Sequence, residues 1–115
     1  MNESPILAGV HSVESIDTAD DFSKKHVPYV DSVRDGDVVT ITVEVGHYVA
    51  HPNLRDHWIE LIEIQAKGAT ILACDFAAGL VAPKATVVAM LDPGTRVTVF
   101  ERCNLHGFWV AETTV

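Results

Sequence analysis

The chain has 115 residues, 48% of them hydrophobic, and a formal net charge of −8. That length suits a single domain, residues 1–115, with a sizeable core, and the acidic balance argues against nucleic acid, whose phosphates need a basic face. No apolar run approaches the roughly 18 residues a membrane span needs, and no basic segment precedes the short apolar stretch before Val10, so a soluble cytoplasmic protein is expected.

Residues 1–25 read as a polar, irregular N-terminal arm in which 15–22 could form a turn of helix capped by Ser15 or Thr18. Arg34-Asp35-Gly36-Asp37 is turn chemistry. After it, residues 38–45 (VVTITVEV) alternate strictly, with Val39, Ile41, Val43 and Val45 on one face, the mark of a half-buried strand. Residues 57–65 (HWIELIEIQ) have ambiguous periodicity, but their Ile, Trp and Leu content and their length favour a strand ended by Lys67-Gly68. Further strands are expected at 70–76, 85–91, 96–102 and 108–115, with a strong turn at Asp92-Pro93-Gly94-Thr95. Short strands between turns, with no convincing helix, point to an antiparallel β-sandwich.

The chain has two cysteines and six histidines. Two cysteines make a disulfide framework improbable and exclude a four-cysteine metal site within the chain. Three short segments concentrate the remaining chemistry: Lys24-Lys25-His26-Val27-Pro28, then His51-Pro52-Asn53-Leu54-Arg55-Asp56-His57, then Cys103-Asn104-Leu105-His106-Gly107-Phe108-Trp109. Each sets His or Cys beside turn residues at a loop or strand end, where a scaffold displays ligands. Cys103 and His106 can meet through a tight turn eased by Gly107, and Pro52-Asn53 can fold His51 back towards His57. Imidazole and thiolate together suit zinc, copper or iron rather than magnesium or calcium. Five protein ligands would exceed zinc's usual four.

Taken together, HVP, HPN with a histidine four residues beyond its Asn, and CNLHGFW resemble the superoxide reductases, also called neelaredoxins or the iron-binding domain of desulfoferrodoxins. The resemblance runs from Lys25 to Trp109. It implies an immunoglobulin-like, all-β sandwich of about seven strands. It also implies one iron per chain, held by His26, His51, His57 and His106 in a plane with the Cys103 thiolate on the axis, and a vacant position where superoxide is reduced to hydrogen peroxide. It implies a role for Lys25 in attracting superoxide and in proton delivery, an external electron donor such as a rubredoxin, and a homodimer or homotetramer. The four-cysteine centre of the longer relatives is missing, so the chain resembles the one-iron type. The N–H groups of Leu105 and His106 are expected to hydrogen-bond the sulfur.

One departure stands out. Many relatives have a glutamate two residues before the first histidine, and this chain has Lys24 there. The oxidised site is therefore expected to be open or to hold water or hydroxide, unless Glu14, Asp17, Asp20 or Asp21 substitutes. His11 and His47 match no ligand position and read as surface or structural. Cys74 reads as core, and Trp58, Phe108 and Trp109 as core or site wall. Two rival readings use the same residues: a non-catalytic metal-binding or electron-carrying module, and a zinc-stabilised domain built on Cys103, His106 and two other histidines.

Overall fold

The computed structural model describes residues 9–115. Seven strands form two antiparallel sheets: β1 (Tyr29–Asp35), β2 (Val38–Glu44), β3 (Ile59–Ala66), β4 (Ala69–Asp75), β5 (Lys84–Met90), β6 (Arg96–Cys103) and β7 (Gly107–Thr114). One sheet runs β1-β2-β5 and the other β4-β3-β6-β7. The all-β sandwich expected from the sequence is the fold observed. Among the described residues no helix is long and apolar enough to cross a membrane.

The alternation of β2 does what its pattern requires. Val39, Ile41 and Val43 are buried against Ile62, Ile64, Val97 and Val99 of the other sheet in one hydrophobic cluster. Each such side chain contributes roughly 1.5–3 kcal/mol by leaving water. The ambiguous segment at 57–65 has a physical explanation. The register of β3 against β6 shifts between Ile59 and Leu61, so the buried set is Ile59, then Ile62, Ile64 and Ala66. An irregularity of this kind resets the two-residue period. The strand starts at Ile59, leaving His57 and Trp58 in the preceding loop.

Two expectations need correction. The helix is α1, Asp21–His26, not 15–22, and its cap is Asp20, not Ser15 or Thr18. Residues 15–18 form only a turn, with Thr18 N–H donating to the Ser15 carbonyl. Asp20 is the better cap because its carboxylate accepts the Ser23 N–H at 2.8 Å. The strand that strand-by-strand reading did not find is β1. Its sequence, YVDSVRD, buries no residue fully, so it carries no clear alternation; it is held by seven register pairs to β2. In the arm, His11 makes a parallel bridge to Trp109 on β7, while residues 1–8 lie outside the described part.

The pairings decide where the loops go. Ile59 faces Cys103 and Cys103 faces Gly107, so β3 begins, β6 ends and β7 begins at one edge of their sheet. Tyr29 faces Glu44 and Glu44 faces Lys84, which sets the start of β1, the end of β2 and the start of β5 at one edge of the other. The α1–β1 junction, the long β2–β3 connection and the β6–β7 hairpin all meet at this end of the sandwich.

Candidate metal centre

His26 ends α1. Asp21 lies in the first turn and Lys24, Lys25 and His26 in the last, matching the helix dipole at both ends. Val27 is extended ahead of Pro28, so the helix stops there. The His26 ring is 1% exposed, and its Nδ1 lies 2.7 Å from the Phe22 carbonyl. A carbonyl can only accept, so Nδ1 carries the proton and Nε2 keeps a bare lone pair. Burial holds the His26 imidazole below its ordinary pKa, with the neighbouring His106, His57 and Lys25 acting in the same direction.

The β2–β3 connection supplies two more rings. His51 Nδ1 donates to the Pro52 carbonyl at 2.6 Å, which again leaves Nε2 bare, and that atom lies 3.5 Å from Cys103 Sγ. Burial drives the His51 pKa down to about 4, so the ring is neutral at physiological pH. Asn53 ties this loop to the next connection: its Oδ1 accepts from Gly79 N–H at 3.0 Å and its Nδ2 donates to the Val81 carbonyl at 3.2 Å. Leu54 and His57 exchange backbone hydrogen bonds of 2.8 and 3.2 Å. The Nε2 of His57 is buried with no hydrogen-bond partner among the described residues. An orphaned buried nitrogen of this kind is costly unless something outside the protein chain satisfies it.

The hairpin supplies the sulfur and the fourth ring. Cys103 is fully buried. Burial pushes its thiol pKa up, while the N–H groups of Leu105 and His106, hydrogen-bonded to the sulfur, pull it part of the way back. Gly107 closes the turn with φ +77°. His106 Nδ1 lies 3.6 Å from Sγ and 3.1 Å from His26 Nε2. Asn104 brackets His57: its Oδ1 accepts the Trp58 N–H at 2.9 Å, its Nδ2 donates to the Asp56 carbonyl at 2.9 Å, and its own N–H donates to the Trp58 carbonyl at 3.2 Å.

The four imidazoles close a circuit. Ring centroids are 4.8 Å apart for His26–His51, 4.8 Å for His51–His57, 5.3 Å for His57–His106 and 4.9 Å for His106–His26, with each pair steeply inclined at 72–86°. Cys103 Sγ touches His51 and His106, which occupy opposite corners of that circuit. One donor atom from each of His26, His57, Cys103 and His106 lies within 4.8 Å of the others; His51 stands just outside this tightest set. The structure thus brings together all five residues singled out in the sequence. Four imidazoles and one sulfur turned towards a common centre, with the His57 Nε2 left unpartnered among the described residues, form the donor set of a transition-metal site.

The surroundings sort the other residues. Lys25 is half-buried in the last turn of α1 and makes no ion pair among the described residues. Among the described residues no carboxylate joins the cluster, and Asp20 is spent on the helix cap. Trp109 stacks on His26 at 5.0 Å and Phe22 packs against His26 and His106, so both are site wall. The Trp58 indole donates to the Phe76 carbonyl at 3.0 Å, and Arg102 lies over Phe108. His11 lies against Trp109, while His47 stacks on Tyr29 and bonds Glu44, so neither enters the cluster. Cys74 packs against the core from β4.

Sequence reading gave Asn53 only a turn-forming role and Asn104 none, although an amide beside a ligand in a turn is a signal for local backbone bonding. It also passed over Glu101. That residue continues the core-facing series Val97, Val99, Glu101, Cys103, is fully buried, and finds no partner for either carboxylate oxygen among the described residues. Burial raises its pKa to about 9, so it is a neutral acid at physiological pH.

Residues 18–112 match the desulfoferrodoxin family. The chain belongs to that family. Among its relatives, the desulfoferrodoxin of Nitratidesulfovibrio vulgaris is 40% identical over 95 residues, which is 83% of this chain and 68% of that protein. The superoxide reductase of Pyrococcus horikoshii is 30% identical over 108 residues, 86% of this chain and 94% of that protein. The solved structure of superoxide reductase (neelaredoxin) from Archaeoglobus fulgidus in the reduced form superposes with a TM-score of 0.74 at 30% identity, covering 92% of this chain and 97% of that one. The similarity to the desulfoferrodoxins and neelaredoxins spans the three ligand-bearing segments and the sandwich that carries them.

Proposed function

We propose that this protein is a superoxide reductase whose single iron is held by His26, His51, His57, His106 and Cys103. The observation that carries the reading is the closed circuit of four imidazoles with the Cys103 sulfur against two opposite corners. Membership of a family that includes named superoxide reductases supports it. The overall reaction takes one superoxide, one electron and two protons to one hydrogen peroxide. Bound there, iron would supply a one-electron ferrous–ferric couple.

The protein's own groups do the rest. Neutral imidazoles bring no charge, so an anion can still approach. The Phe22 and Pro52 carbonyls hold His26 and His51 in the tautomer that turns Nε2 inward. Backbone N–H groups of Leu105 and His106 stabilise the thiolate form of Cys103 against the cost of burial. Lys25, the cation next to His26 on a chain of net charge −8, draws superoxide in and orders a proton-donating water. Among the described residues no carboxylate joins the cluster, which favours an oxidised site that is open or holds water or hydroxide. An external donor, such as a rubredoxin, returns the electron, and we place the reaction in the cytoplasm of the cell in a homo-oligomer.

Metal analysis with a visible spectrum tests the ligand set. One iron per chain and a thiolate-to-iron charge-transfer band that vanishes in Cys103→Ser are expected. Zinc with no visible band would favour the structural-domain reading. Iron with its band but no superoxide consumption would favour an electron carrier.

A further inference from the structure

The loop that delivers His51 doubles back on itself directly after β2. Val45 is pinned by its N–H to the Pro83 carbonyl at 3.0 Å, and six residues later the chain returns at His51. At the point of return lies Gly46. Its φ is +81°, a conformation that side-chain-bearing residues rarely adopt. A Cβ at this position would also stand 2.9 Å from the His51 backbone nitrogen, 3.3 Å from the His51 Cβ and 3.7 Å from the Ala50 carbonyl carbon. The nearest of these is main chain, which cannot rotate aside. His51 is therefore held from two directions, by the backbone of Gly46 behind it and by the Pro52 carbonyl on its Nδ1.

We propose that Gly46 is a positioning residue for His51: its bare α-carbon lets the main chain of the ligand close in far enough for Nε2 to reach the Cys103 sulfur. The inference rests on the metal centre proposed above, and it adds a determinant outside the ligand set. Other glycines show that the requirement is local. Gly36 (φ +62°) and Gly94 (φ +88°) sit in strand-connecting turns with equally unusual backbones, yet a Cβ added to either meets nothing within 4 Å. Their replacement carries the cost of the backbone conformation alone.

The test uses the full chain and Co²⁺, whose visible ligand-field bands report coordination number, with affinity from competition against a chelator. Gly46→Ala should weaken Co²⁺ binding by roughly ten- to a hundredfold, as loss of a ligand's support typically does, and shift the ligand-field bands; Gly94→Ala should stay within about twofold of the parent. In a His51→Ala background, Gly46→Ala should have no further effect on affinity, because the residue it positions is gone. Insertion of one glycine after Tyr48 slackens the loop without adding a side chain, and it should lose affinity as Gly46→Ala does even if that variant fails to fold. Parental affinity in the insertion variant, equal effects of Gly46→Ala and Gly94→Ala, or an undiminished effect of Gly46→Ala in the His51→Ala background would each overturn the proposal while the metal centre stands. A parent that binds no Co²⁺ overturns both.

Discussion

At the scale of single residues the site is a problem in proton placement. His26 and His51 each give their one N–H to a carbonyl, so their inward nitrogens are bare, and burial opposes any second proton. The native protein resists protonating His51 until about pH 4, whereas the unfolded chain takes up that proton near 6.5. Between those values the unfolded state binds more protons, so the stability of the metal-free protein should fall as pH drops from 6.5 towards 4. Urea titrations across that window should show it, and His51→Gln should flatten the slope. Glu101 has the opposite sign. Its ordinary value of 4.5 is raised to about 9, so the native state keeps a proton that the unfolded chain releases, and stability falls as pH rises through that range. Glu101→Gln should stabilise the metal-free protein by up to about 3 kcal/mol at pH 7, the equivalent of the shift between 4.5 and 7, and by little at pH 4.5. An unchanged pH profile of the melting temperature would contradict this. The ligand candidates were legible from the sequence because His and Cys beside Pro, Asn and Gly are conspicuous. Glu101 was equally visible as a charge in a core-facing series, but nothing in a sequence says whether such a charge finds a partner.

At the scale of elements, three connections share the work. The hairpin and the β2–β3 loop are joined by Asn104, which bonds the residues on both sides of His57. Asn104→Ala removes two side-chain bonds, one of them to the half-buried Trp58 N–H, so a loss of about 0.5–1.5 kcal/mol per bond is expected, together with weaker metal binding. Ile62→Ala, in the fully buried core, should cost roughly 2–5 kcal/mol with the metal affinity of the folded protein unchanged; chemical denaturation paired with metal titration separates the two behaviours. Six of the seven strands were legible because each is a run of β-branched, aliphatic or aromatic residues bounded by turn residues, with the alternation sharpest in β2. β1 was not, since YVDSVRD interrupts its few apolar residues with two aspartates and an arginine and leaves most of the strand exposed. The helix was displaced because Ser15 and Thr18 are plausible caps in isolation, and only the chain beyond Asp20, ending at Pro28, decides where a six-residue helix fits.

At the scale of the molecule, charge and capture pull in opposite directions. A net charge of −8 repels a small anion, and Lys24 and Lys25 in the last turn of α1 make a local exception beside the site. Lys25→Ala should lower the second-order rate with superoxide at low ionic strength, and the ratio of parent to variant should shrink as salt shortens the screening length from about 30 Å at 0.01 M to about 8 Å at 0.15 M. A ratio indifferent to salt would assign Lys25 to proton delivery alone. The account as a whole stands on the reaction itself, and the most direct measurement is the yield of peroxide and dioxygen when the iron-loaded protein, kept reduced by a donor, receives a known flux of superoxide. One peroxide per superoxide with no dioxygen evolved is the predicted result. Dioxygen appearing alongside half that peroxide, as in dismutation, or superoxide decaying no faster than in protein-free buffer, would contradict it.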